Sequence, residues 1–450
     1  MVVVSQASKL TLPNPSLPSA PPNTISVLFE PNSLSLALMH SDSSLSLYPS
    51  LSLLSLSSLP STPQTLVPPP SSSSTFLLLH SNSNPNSNPR VLFIVVGPHK
   101  SGAQVLLRLY LLQKSNNVYS RAQVSCSQKG LRFDPNLGVL LDVNHGASIK
   151  LVGSVNFFAM YSFSSSKIWI FGVKSMDGDD DDDGSRLKLM RCAVIECCKP
   201  IWSMSLSFGF LIFGEENGVR VLNLRNLVKR KMKRVRNFDS NGNYETKSLG
   251  LPNGIICDAV LACNGYLDGR IDKHSVSVKQ KSVKYRQDSS EGGACFVALK
   301  SLKSTKMPMM SLKAISVQAL SSKSFLILDS AGDLHILHLT NSVAGSNING
   351  HIRQLPHIMN VQKLAVLPDV SSRTQTIWIT DGYHSMHTLA ASEMDAAVNE
   401  KGRNEIKEKL MDISVAEAIF TGEKIQDVVP LATNGILILG QGNLYAYANS

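Results

Sequence analysis

Long apolar runs, paired cysteines and aromatic side chains are what this 450-residue sequence has little of. No apolar stretch approaches the roughly 18 residues that a membrane helix needs, so neither a helical membrane span nor a membrane partner is expected. The apolar pieces run about 5 to 8 residues between turn residues, which is strand length. The 7 cysteines stand at Cys126, Cys192, Cys197, Cys198, Cys257, Cys263 and Cys295. They form no C-x-x-C pair, which excludes a zinc ribbon and a thioredoxin motif. Reduced, mostly buried thiols in an intracellular protein are expected. Aromatics make up 6% and charged residues 17%. Even so, 43% hydrophobic residues and a mean hydropathy of +0.03 suffice for a sizeable core and exclude wholesale disorder.

Charge is missing from one end. Before Arg90 the only charged side chains are Lys9, Glu30 and Asp42. A secretory signal needs a basic segment followed directly by an apolar one, and MVVVSQASKLTLPNP has neither. A plastid transit peptide would be Ser-rich and acid-poor, as here, but would also carry Arg. The segment ISVLFEPNSLSLALMHSDSSLSLYPS alternates like a hairpin and reads as folded. The expected location is nucleus or cytoplasm, with the plastid as the lesser alternative.

What is present is a repeat. An apolar strand, a tight turn of Gly, Asp, Asn or Ser, and an alternating strand recur seven times. The copies cover residues 34–48, 91–110, 156–173, 209–224, 324–339, 375–389 and 435–448. The first strand of each is apolar on both faces and so should be covered on both sides. Gly218, Gly332, Gly382 and Gly442 are placed to supply the positive φ of a hairpin turn. A shorter strand precedes each pair: Ile25–Phe29, Phe76–Leu79, Ile149–Val152, Trp202–Leu206, Ile315–Leu320, Lys363–Val366 and Ile425–Val429. A variable fourth strand is expected between units, as at Arg191–Glu196 and Cys295–Leu299.

Seven such units, spaced mostly about 50 to 65 residues apart, describe an all-β chain folded as a seven-bladed β-propeller. Six or eight blades are the alternatives, since GIICDAVLACNGYLDGRIDKHSVSV would make a further hairpin. With hairpins such as DSAGDLHILHL, the chain resembles divergent WD40-like seven-bladed propellers over nearly its whole length. No unit carries the paired Gly-His and Trp-Asp dipeptides of standard repeats. Residues 1–450 are read as one domain. Its last hairpin lacks an outer strand, which the N-terminus near Leu10 to Leu12 can supply. One surface helix is expected at 394–420, where Glu400, Lys407, Glu408 and Lys409 stand among Ile and Leu.

Two charged insertions break the pattern. DGDDDDDG lies within the acidic loop 175–186, and a calcium loop is excluded because Asp182 and Lys188 occupy the places of its Gly and Glu. The basic run VKRKMKRVR opens an insertion at 228–250, and another is expected at 270–293. Lys229, Arg230, Lys231, Lys233, Arg234 and Arg236 are candidates for nuclear localisation or anion contact, against the plain reading of a solvated loop.

Catalytic motifs fail one by one. VVGPHKSG has His99 before Lys100 and Pro98 in place of an N–H donor, so it is a hairpin turn rather than a phosphate loop. His335 and His338, like His384 and His387, are three apart in predicted strands, where such residues point to opposite faces and cannot share a metal. They should be partly exposed strand histidines. No G-x-S-x-G elbow occurs. Neither an enzyme nor a cofactor or metal site is expected. What the resemblance implies is a scaffold or adaptor whose partners are other proteins, bound by loops and channel mouth. The alternative is a propeller subunit of a nuclear or ribonucleoprotein assembly, with run 229–236 touching RNA or an acidic partner.

Overall fold

The computed structural model describes residues 5–12, 23–55, 58–60, 62–80, 88–146, 148–176, 186–229, 283–287, 294–299, 311–341, 348–368, 374–394 and 410–449. The strands form seven separate sheets, one per predicted hairpin, and each sheet is a blade. Blade 5 shows the plan. Strand a, Ala314–Ala319, lies innermost, followed by b, Ser324–Asp329, c, Leu334–Asn341, and d, Ile348–Gln354, all antiparallel. Strand b is buried at every position, as two-sided apolarity requires. The inner strands of successive blades touch all the way round, including the last with the first, so the ring is closed.

The seventh blade is built from both ends of the chain. Ser5–Thr11 pairs antiparallel with Asn443–Asn449 along its whole length. Leu10 is fully buried in a cluster with Leu437, Leu439 and Leu444. This pairing removes the free edge that a three-stranded last blade would leave.

Blade 3 departs from four strands. Its outer strand, Arg186–Glu196, pairs in parallel with both Gln123–Ser125 and Val283–Arg286. The second of these lies inside the span 270–293 read as insertion, and it ties that insertion to blade 3. The short helix Leu224–Lys229 precedes it and buries Leu224 and Leu227 against blades 3 and 4.

Other expectations also change. Leu410–Phe420 is a strand on Ser385–Met394, not part of a helix; 395–409 lie outside the described residues. The charged residues that suggested a helix fall mainly before 410, whereas Met411, Ile413 and Val415 alternate with period two. Gly332 (φ 84) and Gly382 (φ 80) take the left-handed turn, but in blade 4 Asn217 (φ 62) does so in place of Gly218. Gly442 is not left-handed either. A Gly-His dipeptide does occur, at Gly350-His351 in the outer strand of blade 5, where His351 is exposed. Of the described cysteines only Cys192 is buried, and Cys198 is exposed, so the thiols are less sequestered than expected. The hairpin at 254–278 that would make an eighth blade lies outside the described residues. Among those residues no helix is long and apolar enough to cross a membrane.

Candidate functional site

Antiparallel strands fix two faces of the disc. The b–c turns share one face, here the upper, with the links from each outer strand to the next blade's inner strand. The a–b and c–d turns share the lower face.

Several upper-face turns are held by a polar pair at the end of strand b. In blade 5, Asp329 accepts hydrogen bonds from Ala331 N (2.9 Å), Asp333 N (3.0 Å) and His335 Nε2 (2.8 Å). His335 is fully buried, which corrects the expectation of a partly exposed side chain. His338 points the other way, to Ser324 Oγ at 3.0 Å, so the pair shares no ion. Burial raises the Asp329 pKa, but the hydrogen bonds from His335 and the turn outweigh it and leave the carboxyl below its ordinary value. Blade 4 uses Glu215 and Arg220 (2.6 Å), and blade 1 uses His40 and Ser46 (2.8 Å). His384 lies in the turn before its strand and is exposed, while His387 is within the strand. Among the described residues no three His, Cys, Asp or Glu could hold a metal ion. Residues 97–99 end the strand Arg90–His99, and 100–103 form the hairpin turn into Gln104–Leu112.

With its turns fixed, the upper face can present side chains from a defined backbone. Tyr383, in the b–c turn of blade 6, is 62% exposed, and Phe420, ending that blade's outer strand, is 74% exposed. Their two loops are tied by Thr421 N to His384 O (2.9 Å) and Ile425 N to Tyr383 O (2.8 Å). Lys424 places its ammonium 5.7 Å from the Tyr383 ring centre. Neither aromatic stood out in the sequence, because exposure at a turn carries no periodic signal.

The inner strands line the channel with short polar side chains that stitch blade to blade. Ser73 Oγ accepts from Leu151 N (3.1 Å), and Ser203 Oγ donates to Ala314 O (2.7 Å). Gln318 bonds both Leu364 O (2.8 Å) and Val366 N (2.7 Å). At the upper mouth, a cavity of about 350 Å³ is lined by Ser73, Lys150, Trp202, Ser203, Ser316 and Gln318 among others.

The described residues that flank the charged insertions stand at the lower face. The acidic run leaves between Ser175 and Arg186, and the basic run follows Val228, so both spring from c-strand ends of neighbouring blades. Residues 177–185 and 230–282 themselves lie outside the described residues, including Arg230, Lys231, Lys233, Arg234 and Arg236. Lys229 closes the short helix. The ends of the long insertion meet: Tyr285 Oη donates to Leu227 O at 3.3 Å.

No family model and no curated protein matches the chain. Solved structures do. The chain is similar to the β-propeller domain of Myceliophteria thermophila Cps50 (Swd1), at 9% identity and TM-score 0.43, over 95% of this chain and 97% of that one. It is similar to the WD40 repeats of RRP9, at 5% identity and TM-score 0.43, over 100% of each. It is similar to Saccharomyces cerevisiae Sqt1, at 10% identity and TM-score 0.41, over 98% of each. The propeller assignment rests on the seven sheets and their closed ring. The architecture is the one the WD40-like resemblance implied.

Proposed function

We propose that this chain is a non-catalytic scaffold that binds other proteins on its upper face. The observation that carries it is the exposed pair Tyr383 and Phe420, displayed on two loops cross-tied by backbone hydrogen bonds. Aromatic side chains carried on loops whose backbone is already fixed before binding leave less conformational entropy to lose and make effective anchors. Affinity capture with mass spectrometry, comparing the intact chain with a Tyr383→Ser/Phe420→Ser variant, tests this. Partners should be lost at unchanged melting temperature. An unchanged partner set overturns the reading.

A second reading concerns the lower face, where the run Lys229, Arg230, Lys231, Lys233, Arg234 and Arg236 would contact RNA or an acidic partner in a nuclear or ribonucleoprotein assembly. Its support is that both ends of the insertion are pinned to blade 3, by the helix Leu224–Lys229 and the strand Val283–Arg286. Phosphate contacts predict affinity that falls steeply with salt. Changing the six cations to Ser should abolish that slope and leave the fold intact.

A further inference from the structure

The upper channel mouth is unevenly neutralised. In blade 6, Lys363 opens the inner strand and has an internal counterion, Asp427, at 3.2 Å. Blade 3 has Lys150 second in its inner strand, and blade 5 has Lys313 just before its own. Among the described residues neither is ion-paired, including to Glu216, which faces Lys313 across a backbone bridge. Both instead converge on Trp202, which precedes the inner strand of blade 4 between them. Lys150 Nζ donates to the Trp202 carbonyl. Lys313 Nζ stands 4.2 Å from the centre of the indole ring.

Two ammonium groups gathered on one residue repel each other and are attracted to any anion that reaches both. Partial desolvation lowers the Lys150 pKa, although the residue is exposed, so its ammonium can be reached from solvent. The cavity beside it, about 350 Å³, falls in the range of ligand pockets. Its remaining lining includes the hydroxyl-bearing Ser73, Ser203 and Ser316. Such a wall suits a peptide backbone. It suits single-stranded nucleic acid less well, because successive bases need a series of aromatic platforms, whereas the lining offers one ring, Trp202, with Lys313 over one of its faces.

We infer that the channel mouth at blades 3 to 5 is a seat for an acidic side chain of an extended peptide, bound between Lys150 and Lys313 beside Trp202. This rests on the reading that the upper face is the docking face, and it names the chemistry of what docks there.

Trp202 reports on its own site. The other two tryptophans, Trp169 and Trp378, are buried in blade cores. The test is titration of the intact chain with a peptide of alternating Asp and Ser, followed by tryptophan fluorescence. A saturable change is expected, absent with a Lys/Ser peptide and absent in Trp202→Phe. Lys150→Ala and Lys313→Ala should each weaken binding by at least about tenfold, and Lys150→Arg should restore most of it. No saturable change, or binding indifferent to both lysines, overturns the inference. Inorganic phosphate binding as tightly as the peptide also overturns it, because the site would then be one for phosphate. Failure here with partner loss in Tyr383→Ser/Phe420→Ser sinks the acidic seat and leaves the docking face standing. The reverse pattern sinks the aromatic anchor alone.

Discussion

The first blade meets its two neighbours in different ways. Toward blade 7 the seam is stitched at the centre. Asp427 accepts from Ser26 Oγ (2.9 Å) and Val27 N (3.1 Å) and holds Lys363 on its other oxygen. Toward blade 2 the inner strands leave a cavity of about 200 Å³ bounded by Ser26, Leu28, Ala37, Met39, Leu45 and Ser72 to Ser74. There the stitches lie further out: Tyr119 Oη to Ser35 Oγ (2.8 Å) and Thr65 Oγ1 to Tyr119 O (3.2 Å). Beneath them, Arg108 is buried and donates to Pro68 O, Pro70 O (2.8 Å) and Ser71 Oγ (2.8 Å). A ring can thus be closed at its hub or at its rim. The seam beside the blade that joins the chain ends is stitched at the hub, while pairing through seven residues of the first strand closes that blade at its rim.

Removing that first strand should do the most damage. Deleting residues 1–12 strips blade 7 of its outer strand and takes buried Leu10 and Leu12 from the core. A buried leucine alone is worth about 2–5 kcal/mol, so the loss should exceed about 5 kcal/mol and expose a sheet edge. Thermal unfolding with light scattering should show a large fall in melting temperature and aggregation. An unchanged transition would mean the hub stitches suffice.

At the other seam, Arg108→Ala should cost about 2–4 kcal/mol, because two carbonyls and a hydroxyl lose a charged donor in a buried place. Arg108→Lys should recover only part, since a single ammonium cannot reproduce a planar fork. Asp427→Ala should cost less, about 1–3 kcal/mol, as its partners are only partly buried. Denaturant unfolding of the three variants ranks the seams. If Asp427→Ala proves the costliest, the hub dominates both seams.

Much of this ring is legible in sequence, and the reasons mark the limit. Strands such as Ser324–Asp329 and Gly435–Leu439 are buried at every residue, so their apolar runs appear without any knowledge of neighbours. Leu410–Phe420 is harder to read because the charged stretch before it resembles a helix face. His335 shows the same limit within one strand. Period two says that it and His338 face apart, but only the turn carboxylate of Asp329 decides which is buried. The channel mouth is invisible for a different reason. Lys150, Trp202 and Lys313 sit far apart in the chain and are brought together by the blade angle alone.

Blade 7 also has an acid limit. Glu423, beside the last b–c turn, accepts from Gly442 N (2.9 Å), Asn443 Nδ2 and Tyr445 Oη (3.2 Å). Burial raises its pKa, but these bonds prevail and leave it below the ordinary 4.5. A carboxyl depressed in the folded state stabilises above its unfolded pKa and loses that contribution as pH falls through the folded value. Stability of blade 7 should therefore decline as pH drops below about 4.5, and Glu423→Gln should remove part of that dependence. A pH profile of melting temperature identical in the two proteins would assign the acid sensitivity elsewhere, Asp329 being the next group to test.

The smallest effect comes from filling the rim seam. Ala37 is fully buried in strand b of blade 1, yet it borders the cavity toward blade 2. Two added methyl groups would gain contacts with Leu28 and Met39 only if the space is a true void between inner strands. Ala37→Val suits a strand, where β-branched side chains fit well. It should raise stability by about 0.5–1 kcal/mol, the lower part of what cavity filling gives. The same change at Ala446, buried in the apolar cluster shared by blades 7 and 1, should instead cost about 1–3 kcal/mol through overpacking. Opposite signs at the two alanines in chemical unfolding would establish that one seam is fully packed and the other is not. A loss at Ala37 as large as at Ala446 would show that blades 1 and 2 are already in full contact.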